Sequence, residues 1–184
     1  MTVFLQTPRL TLRPFHEADL DEVVALDNDP EVMRYLNGGR PTSCDEVRTR
    51  TLPRLLGHGF WVAEAAGDGA WLGWFQLEPQ AAPGDDPHTV ELGYRLHRRA
   101  WGRGYATEGS RALIDKAFEE LGVRRVTATT MTVNTGSRRV MEKSGLRYVR
   151  TFFEEWPETI EGSEQGDVEY ALTREEWQAG RAGR

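Results

Sequence analysis

The 184-residue sequence predicts a mixed α/β or α+β fold, in which mainly sequential strands form one sheet beside a few helices. Two observations support this prediction. Short alternating or β-branched segments recur along the chain, as expected of strands. Between them lie helix-like segments, the clearest at residues 105–121, where Leu113, Ala117 and Leu121 share one face. No repeat or low-complexity linker divides the chain, so one domain over residues 1–184 is expected.

The first elements follow from local patterns. Residues 9–15 (RLTLRPF) alternate as a strand does, and residues 17–29 carry apolar side chains at helical spacing behind an acidic start. Ser43 and Glu46 form a capping-box pattern that begins a second helix, which Pro53 should kink or shorten.

The centre of the chain is predicted to be strand-rich. FWVAEAA and WLGWFQLE, joined by GDG, are typical of a hairpin. After a loop, residues 89–96 (TVELGYRL) form a strand in which Gly93 indicates a bulge.

The last third alternates strand and helix. Residues 124–133 are rich in β-branched side chains and predict a buried strand, followed by a short helix at residues 134–146. Residues 147–156 and 167–172 predict two final strands, and the pair Thr173 and Glu176 indicates a capping box for a terminal turn.

Composition excludes several classes of protein. The formal net charge of −6 argues against general nucleic-acid binding, which favours basic chains. Cys44 is the single cysteine, so an intramolecular disulfide or a cysteine-based zinc site is excluded, and no metal is expected. The start of the sequence shows neither a signal peptide nor a membrane span, so a cytoplasmic protein without a membrane partner is expected.

The stretch LHRRAWGRGYATEG, residues 96–109, concentrates arginines and glycines immediately before the clearest helix. A helix N-terminus offers free backbone N–H groups and partial positive charge, and glycines let a phosphate approach the backbone. The alternative interpretation is that these are turn glycines beside solvated arginines. The stretch lacks the Lys-Ser/Thr ending of a P-loop, and Thr107 stands where a dinucleotide fingerprint has its third glycine.

The segment Arg99-Ala-Trp-Gly102-Arg-Gly104 matches the Arg/Gln-x-x-Gly-x-Gly/Ala motif of the GNAT N-acetyltransferase superfamily. Together with TPRLTLRPF near the start and NTGSRRVMEKSGL near the end, it resembles the RimJ/RimL-like ribosomal-protein alanine N-acetyltransferase branch. One departure is His16, where the family has Ser or Thr, and it affects capping rather than chemistry. The resemblance implies the GNAT fold, a twisted and mostly antiparallel sheet with splayed middle strands and flanking helices.

The resemblance also implies acetyl-CoA as co-substrate. The pyrophosphate would lie on the loop backbone, the preceding strand would pair with pantetheine, and Asn134 would hydrogen-bond the pantetheine arm. The cofactor-binding residues implied are Leu96, His97, Arg98, Arg99, Gly102, Arg103, Gly104, Tyr105, Ala106, Thr107, Asn134 and Ser137.

Transfer of an acetyl group to an amine needs a route for the amine proton, because alkyl amines have a pKa of about 10 and α-amino groups of about 8. Glu91 resembles the superfamily's glutamate base, although it could equally be a solvent-facing carboxylate on a strand. His97 is an alternative base.

Ser137 resembles the residue that this branch places near the sulfur as an acid, but it could instead cap a helix. Tyr148 is a weaker candidate acid. A backbone N–H between Tyr94 and Leu96 is the expected oxyanion donor.

Residues 151–173, here named the acidic segment, contain seven Asp or Glu and no Lys or Arg. They form either a solvated hairpin or a rim that attracts a cationic acceptor. Trp156 with Trp61, Trp71 and Trp74 could line an acceptor pocket, although at least half of the four should be core.

We therefore expect an acetyl-CoA-dependent N-acetyltransferase that transfers the acetyl group directly to a primary amine. We expect the acceptor to be a protein N-terminus or a small molecule. A homodimer is expected because symmetric dimers are the commonest protein oligomers. The alternatives are a non-catalytic acyl-CoA-binding module on the same fold and a transferase that uses another acyl donor.

Overall fold

The computed structural model describes residues 3–80, 86–154 and 159–182, and within them it shows one eight-stranded sheet. The order is β1-β2-β3-β4-β5-β6-β8-β7. The strands are β1 Leu5–Gln6, β2 Leu10–Arg13, β3 Phe60–Ala65, β4 Trp71–Pro79, β5 Thr89–Leu96, β6 Arg125–Met131, β7 Arg147–Phe152 and β8 Asp167–Thr173. Neighbouring strands are antiparallel except β5 and β6, which are parallel. The predicted mixed class with a mostly antiparallel sheet is confirmed.

Helices cover both faces of the sheet. The α-helices of the described residues are α1 Leu20–Asp27, α2 Pro30–Asn37, α3 Cys44–Glu46, α4 Leu52–Leu55, α5 Tyr105–Glu119, α6 Thr135–Lys143 and α7 Arg174–Ala182. Trp74 and Phe75 are consecutive on β4 and belong to different hydrophobic cores, because side chains alternate across a strand. The Phe75 core includes side chains of α5 and α6, whereas the Trp74 core includes side chains of α1 and α4.

Helix α2 was not predicted; it lies between the predicted helix at residues 17–29 and the predicted helix that begins at Ser43. Its boundaries are locally encoded. The Asp29 side chain accepts from the Glu31 N–H, Pro30 occupies the first helical position, and Gly38 ends the helix with a φ of 75°. The two-residue strand β1 was also missed, being too short to show a pattern.

Three other local predictions need correction or qualification. No bulge lies at Gly93, which pairs with Gln76 in continuous register; the irregularity falls between Ala63 and Glu64 of β3. Leu121 lies beyond the end of α5 and is 49% exposed. Before Pro53 the helix changes to a π-helical turn at Val47–Thr51, which fits the proline's inability to donate a regular backbone bond.

The middle of the sheet opens into a gap. β5 and β6 pair only at Thr89–Arg125, Val90–Val126 and Glu91–Thr127. Beyond these pairs β5 continues along β4 to Leu96, while β6 continues along β8 to Met131. The gap between the diverging strands is named the splay, and it confirms the predicted splayed middle strands.

Candidate active site

The glycine loop, residues 97–104, connects the end of β5 to the start of α5. The first backbone bond of α5 runs from the Glu108 N–H to the Gly104 carbonyl, so the N–H groups of residues 105–107 precede the helical bonding pattern. These N–H groups and the helix dipole make this end of α5 attractive to an anion.

Gly102 and Gly104 determine the backbone conformation of the loop. Their φ angles are 69° and 82°, a left-handed conformation that residues with a Cβ adopt at a cost. A Cβ on Gly104 would also lie 3.2 Å from Nη2 of Arg9. The glycines therefore set both the shape of the loop and the closeness with which a ligand can approach it.

The arginines of the loop have different partners. Nε of Arg98 donates to Oδ2 of Asp29 at 2.7 Å, and Nη2 of Arg99 donates to the Trp71 carbonyl at 2.6 Å. Burial tends to raise the pKa of Asp29, but the bond and charge of Arg98, together with backbone hydrogen bonds at the start of α2, hold the pKa below its usual range. The exposed Arg103 side chain extends from the loop between its two glycines, where it is free to meet a ligand. Arg98 and Arg99 instead tie the loop to α2 and β4.

Arg9, which the sequence analysis did not single out, braces the loop from the turn before β2. Its Nε donates to Oε2 of Glu108 at 2.6 Å, and its Nη1 donates to the Arg103 carbonyl at 2.8 Å. Its guanidinium carbon lies 4.8 Å from the centroid of the Tyr105 ring. The only signal in the sequence was the TPRL segment, whose partners lie about a hundred residues away.

The backbone of β5 offers an unpaired edge in the splay. The His97 N–H donates to the Leu72 carbonyl of β4, and the Val90 carbonyl accepts from Thr127 Oγ1 of β6. Because backbone groups alternate along a strand, those of Leu92, Tyr94 and Leu96 face the splay. The Leu96 carbonyl accepts from Trp101 Nε1 at 2.8 Å. The Leu92 N–H belongs to the parallel ladder that includes the Glu91–Thr127 pair, so an extended ligand could pair with the Leu92 carbonyl and the backbone of Tyr94.

The N-terminus of α6 lies at the other side of the splay. Asn134 is its cap: Oδ1 accepts from the Ser137 N–H at 3.2 Å, and Nδ2 donates to Thr130 Oγ1 at 3.1 Å. The alternative that Ser137 caps this helix is therefore wrong. Its Oγ instead lies 2.9 Å from Oη of Tyr94, and the Ser137 carbonyl oxygen lies 3.1 Å from the same phenol oxygen. Sequence reasoning missed this contact because the partners are 43 residues apart.

Glu91 lies where the splay begins, at the last β5–β6 pair. It is partly exposed and accepts from Thr129 Oγ1 at 2.9 Å. It shares a face of β5 with Arg95, whose guanidinium bonds Asp27 of α1 at 2.5 Å. Tyr94 points to the opposite face, toward α6. Glu91 and Ser137 thus approach the splay from opposite faces of the sheet, which the gap connects.

The other two acid–base candidates lie elsewhere. His97 has its ring against Trp71 and its Nε2 3.6 Å from a Glu22 oxygen; burial and the charge of Arg99 lower its pKa, and Glu22 opposes this shift. Tyr148 is 54% exposed on the edge strand β7, which β8 separates from β6. The structure does not bring Tyr148 to the splay.

Two cavities adjoin the glycine loop. One cavity, of about 550 Å³, lies beside α5 and is lined in part by Arg9, Gly104 and Lys143. The other, of about 250 Å³, lies between α2 and α6 and is lined in part by Tyr35 and Trp101. Across the described ranges we find no cluster of three or more His, Cys, Asp or Glu that could hold a metal ion.

The acidic segment is partly neutralised by basic residues from other elements. Glu169 bonds Arg125 at 3.1 Å and Arg150 at 2.7 Å, and Glu161 lies 3.5 Å from Arg34. The absence of Lys and Arg from residues 151–173 therefore does not leave these two carboxylates uncompensated, because their partners are distant in sequence. Glu154 is exposed.

The tryptophans considered for an acceptor pocket are mainly core. Trp71 and Trp74 are buried, and Trp61 stacks on Phe4 with centroids 4.1 Å apart. Glu155, Trp156 and Glu158 lie outside the described residues.

Comparison with known proteins shows which family and which relatives this chain resembles. The sequence model of the family described as Acetyltransferase (GNAT) domain matches residues 9–147. A relative in Aspergillus fumigatus, FsC-acetyl coenzyme A-N(2)-transacetylase, is 39% identical over 184 residues, which cover 94% of this chain and 77% of the relative.

Solved structures agree in fold. A GNAT-family acetyltransferase from Bacillus anthracis has a TM-score of 0.78 at 26% identity, over 95% of this chain and 99% of that chain. Spermidine N-acetyltransferase from Vibrio cholerae, solved with CoA and spermine, has a TM-score of 0.76 at 19% identity, over 94% and 99%. The latter likeness shows the fold alone. In the described part of the chain, no helix has the length and apolarity needed to cross a membrane.

Proposed function

The chain belongs to the GNAT acetyltransferase family, and we propose that it transfers the acetyl group of acetyl-CoA directly to a primary amine in a ternary complex. It is an N-acetyltransferase, and acetyl-CoA is its co-substrate. The direct transfer, the residues that carry it and the class of amine are our proposal.

One observation carries the proposal: the splay exposes the unpaired edge of β5 directly before the glycine loop. In the proposed complex pantetheine pairs with the backbone carbonyls of Leu92 and Tyr94 as an added strand, and the pyrophosphate meets the N–H groups at the start of α5. Arg103 adds a charged contact. Asn134 keeps one amide hydrogen and one lone pair for the pantetheine arm while it caps α6.

The chemistry follows from what surrounds the splay. Glu91 takes the amine proton, directly or through a water, because it lies at the point where the strands separate. The amine nitrogen then attacks the thioester carbonyl, and the N–H of Tyr94 stabilises the oxyanion. When the C–S bond breaks, its electron pair goes to sulfur, and Ser137 donates a hydrogen bond to the thiolate.

The acceptor is a protein N-terminus or a small molecule. The motifs shared with the RimJ/RimL-like branch support the first, and the relative named FsC-acetyl coenzyme A-N(2)-transacetylase supports acetylation on a nitrogen atom. The exposed Glu154 beside other acidic residues supports an acceptor with positive charge. A cytoplasmic location and a homodimer remain part of the proposal.

A panel of amines tests this function. Purified protein is incubated with acetyl-CoA and, in turn, N-terminal peptides, aminoglycosides, polyamines and small amines, and both thiol release and the mass of the acceptor are measured. We expect amine-dependent thiol release with a mass gain of one acetyl group. Tight binding of acetyl-CoA without acetylation of any amine would favour the non-catalytic module, and faster reaction with a longer acyl-CoA would favour another donor.

A further inference from the structure

Tyr94 is a partly buried phenol that contacts two oxygen atoms of one residue at the splay. Its Oη lies 2.9 Å from Oγ and 3.1 Å from the carbonyl oxygen of Ser137. Its ring lies 6.2 Å from that of Phe75, which is fully buried. The phenol is therefore held from both ends, by ring packing on β4 and by α6.

The two contacts compete for one hydrogen. A phenol has a single O–H, which can go to the Ser137 carbonyl or to Ser137 Oγ. If Tyr94 donates to Oγ, the Ser137 hydroxyl cannot donate to Tyr94, and its hydrogen points away from the phenol. Burial of the ring raises the pKa of Tyr94 to about 12, and the bond to Ser137 opposes that shift. The phenol thus keeps its hydrogen throughout the ordinary pH range.

We infer that Tyr94 is a positioning residue for thiolate departure, donating its hydrogen to Ser137 Oγ so that the Ser137 hydroxyl donates to the sulfur. This inference rests on the proposed function, which places the sulfur beside Ser137. No proton leaves Tyr94 or Ser137. The electron pair of the breaking C–S bond goes to sulfur, the proton lost by the amine goes to the base, and the two hydroxyls form a chain O–H···O–H···S⁻.

The geometry explains why Ser137 needs a partner. A lone serine hydroxyl rotates, and Tyr94 Oη would compete with the sulfur as the acceptor of its hydrogen. With the Tyr94 hydrogen on Oγ, the hydroxyl of Ser137 can no longer donate to Tyr94 without a clash of hydrogens. The hydrogen bond to sulfur then forms at a prearranged position, and such a bond is stronger to a charged acceptor.

A double-mutant cycle on the amine with the highest rate in the panel tests the inference. Ser137→Ala is expected to lower kcat about tenfold to a hundredfold, the value of one hydrogen bond to a charged group. Tyr94→Phe is expected to lower kcat about threefold to tenfold. Neither should change KM for acetyl-CoA more than about twofold, since the bond strengthens only as charge develops on sulfur.

The double variant is the decisive arm. If Tyr94 acts through Ser137, then adding Tyr94→Phe to Ser137→Ala lowers kcat by less than about twofold. If Tyr94 only packs, its effect is the same in both backgrounds, and this outcome would overturn the inference. Wild-type activity in the same assay reports the proposed function separately, and full kcat in Ser137→Ala would reject the hydroxyl chain while leaving acetyl transfer intact.

Two further variants serve as controls for a loss of activity that results only from a destabilised structure. Tyr170→Phe removes another buried phenol, which donates to Glu142 Oε1 and accepts from Arg138 on the same helix α6. It should lower the thermal midpoint without lowering kcat more than about twofold. Ser137→Thr retains a hydroxyl and is expected to keep kcat within about threefold and to remain sensitive to Tyr94→Phe. Insensitivity of Ser137→Thr to Tyr94→Phe would contradict the chain.

Discussion

The glycine loop and the Tyr94–Ser137 pair lie at the two ends of one proposed cofactor path, yet they are built differently. The loop offers backbone N–H groups at the start of α5, shaped by Gly102 and Gly104. The pair offers side-chain hydroxyls from β5 and α6, 43 residues apart. The loop is thus encoded in one short stretch, whereas the pair exists only once the sheet has brought its two elements together.

This difference separates binding from chemistry. A backbone site binds phosphate groups whose charge is the same before and after reaction, so it should govern affinity. A hydroxyl aimed at the sulfur meets a charge that develops only during reaction, so it should govern kcat. Mutations at the two ends should therefore affect different kinetic constants.

The largest expected effect is on affinity. Gly104→Val should raise the Kd for acetyl-CoA at least about a hundredfold, because a branched side chain at a φ of 82° distorts the loop and blocks the approach of phosphate. Isothermal titration calorimetry measures the Kd. Gly122→Val is the matched control, since Gly122 has a φ of 70° with nothing within 4 Å of its Cβ position. Equal losses in the two variants would assign the effect to general strain.

A smaller effect, confined to catalysis, is expected at Glu91. Glu91→Gln should lower kcat/KM about a hundredfold near neutral pH, the usual contribution of a positioned base. The defect should shrink as pH rises toward the pKa of the amine, because a deprotonated amine needs no base. Glu78→Gln provides the control: Glu78 faces Glu91 across the β4–β5 pair but bonds Arg54. A defect that does not change with pH would indicate another base.

The acidic segment should contribute less. Neutralising Glu154, Glu155 and Glu158 together should raise KM for a cationic amine about threefold to tenfold at low salt, with KM for acetyl-CoA nearly unchanged. Added salt should reduce wild-type activity more than variant activity, since screening acts over about 10 Å at 0.1 M. Neutralising Glu119 and Glu120, at the far end of α5 from the loop, serves as control. Identical amine KM values in the segment variant and the wild type would make the segment a solvated hairpin.

The smallest effect concerns folding stability. The pKa of His97 is lowered in the folded state by burial and by Arg99, so the unfolded chain takes up a proton first as pH falls. The stability that neutral His97 contributes is present above its unfolded pKa of about 6.5 and is lost below it. Denaturant unfolding at pH 7 and pH 5 should show a smaller loss of free energy of unfolding in His97→Gln than in the wild type. An equal loss of free energy of unfolding in both proteins would show that His97 does not contribute to the pH dependence of stability.

The same contrast explains what the sequence could predict. The fold class, the splay and the position of the glycine loop followed from local periodicity, from Gly102 and Gly104, and from family resemblance. The missed helix α2 also had local signals, namely Asp29 and Pro30 at its start and Gly38 at its end, but only eight residues in which to show a period.

Contacts between distant residues could not be predicted. Arg9 reaches Glu108, 99 residues away, and Glu169 is neutralised by Arg125 and Arg150 from two other strands. The role of Ser137 was ambiguous for the same reason, because Tyr94, which binds its hydroxyl, lies 43 residues away. The cap at Asn134, by contrast, is a local contact three residues from Ser137. Local patterns determine elements, and packing determines which side chains meet.

The central claim is that the glycine loop binds the pyrophosphate of acetyl-CoA, and a comparison of two thioesters by calorimetry tests it most directly. Acetyl-CoA carries the pyrophosphate, whereas acetyl-pantetheine carries the same thioester and arm without it. We expect the wild type to bind acetyl-CoA at least about a hundredfold more tightly than acetyl-pantetheine, a preference that two or more charge-assisted hydrogen bonds would provide. Gly104→Val should lose most of this preference but should bind acetyl-pantetheine with the same Kd as the wild type. A preference that survives in Gly104→Val would contradict the claim.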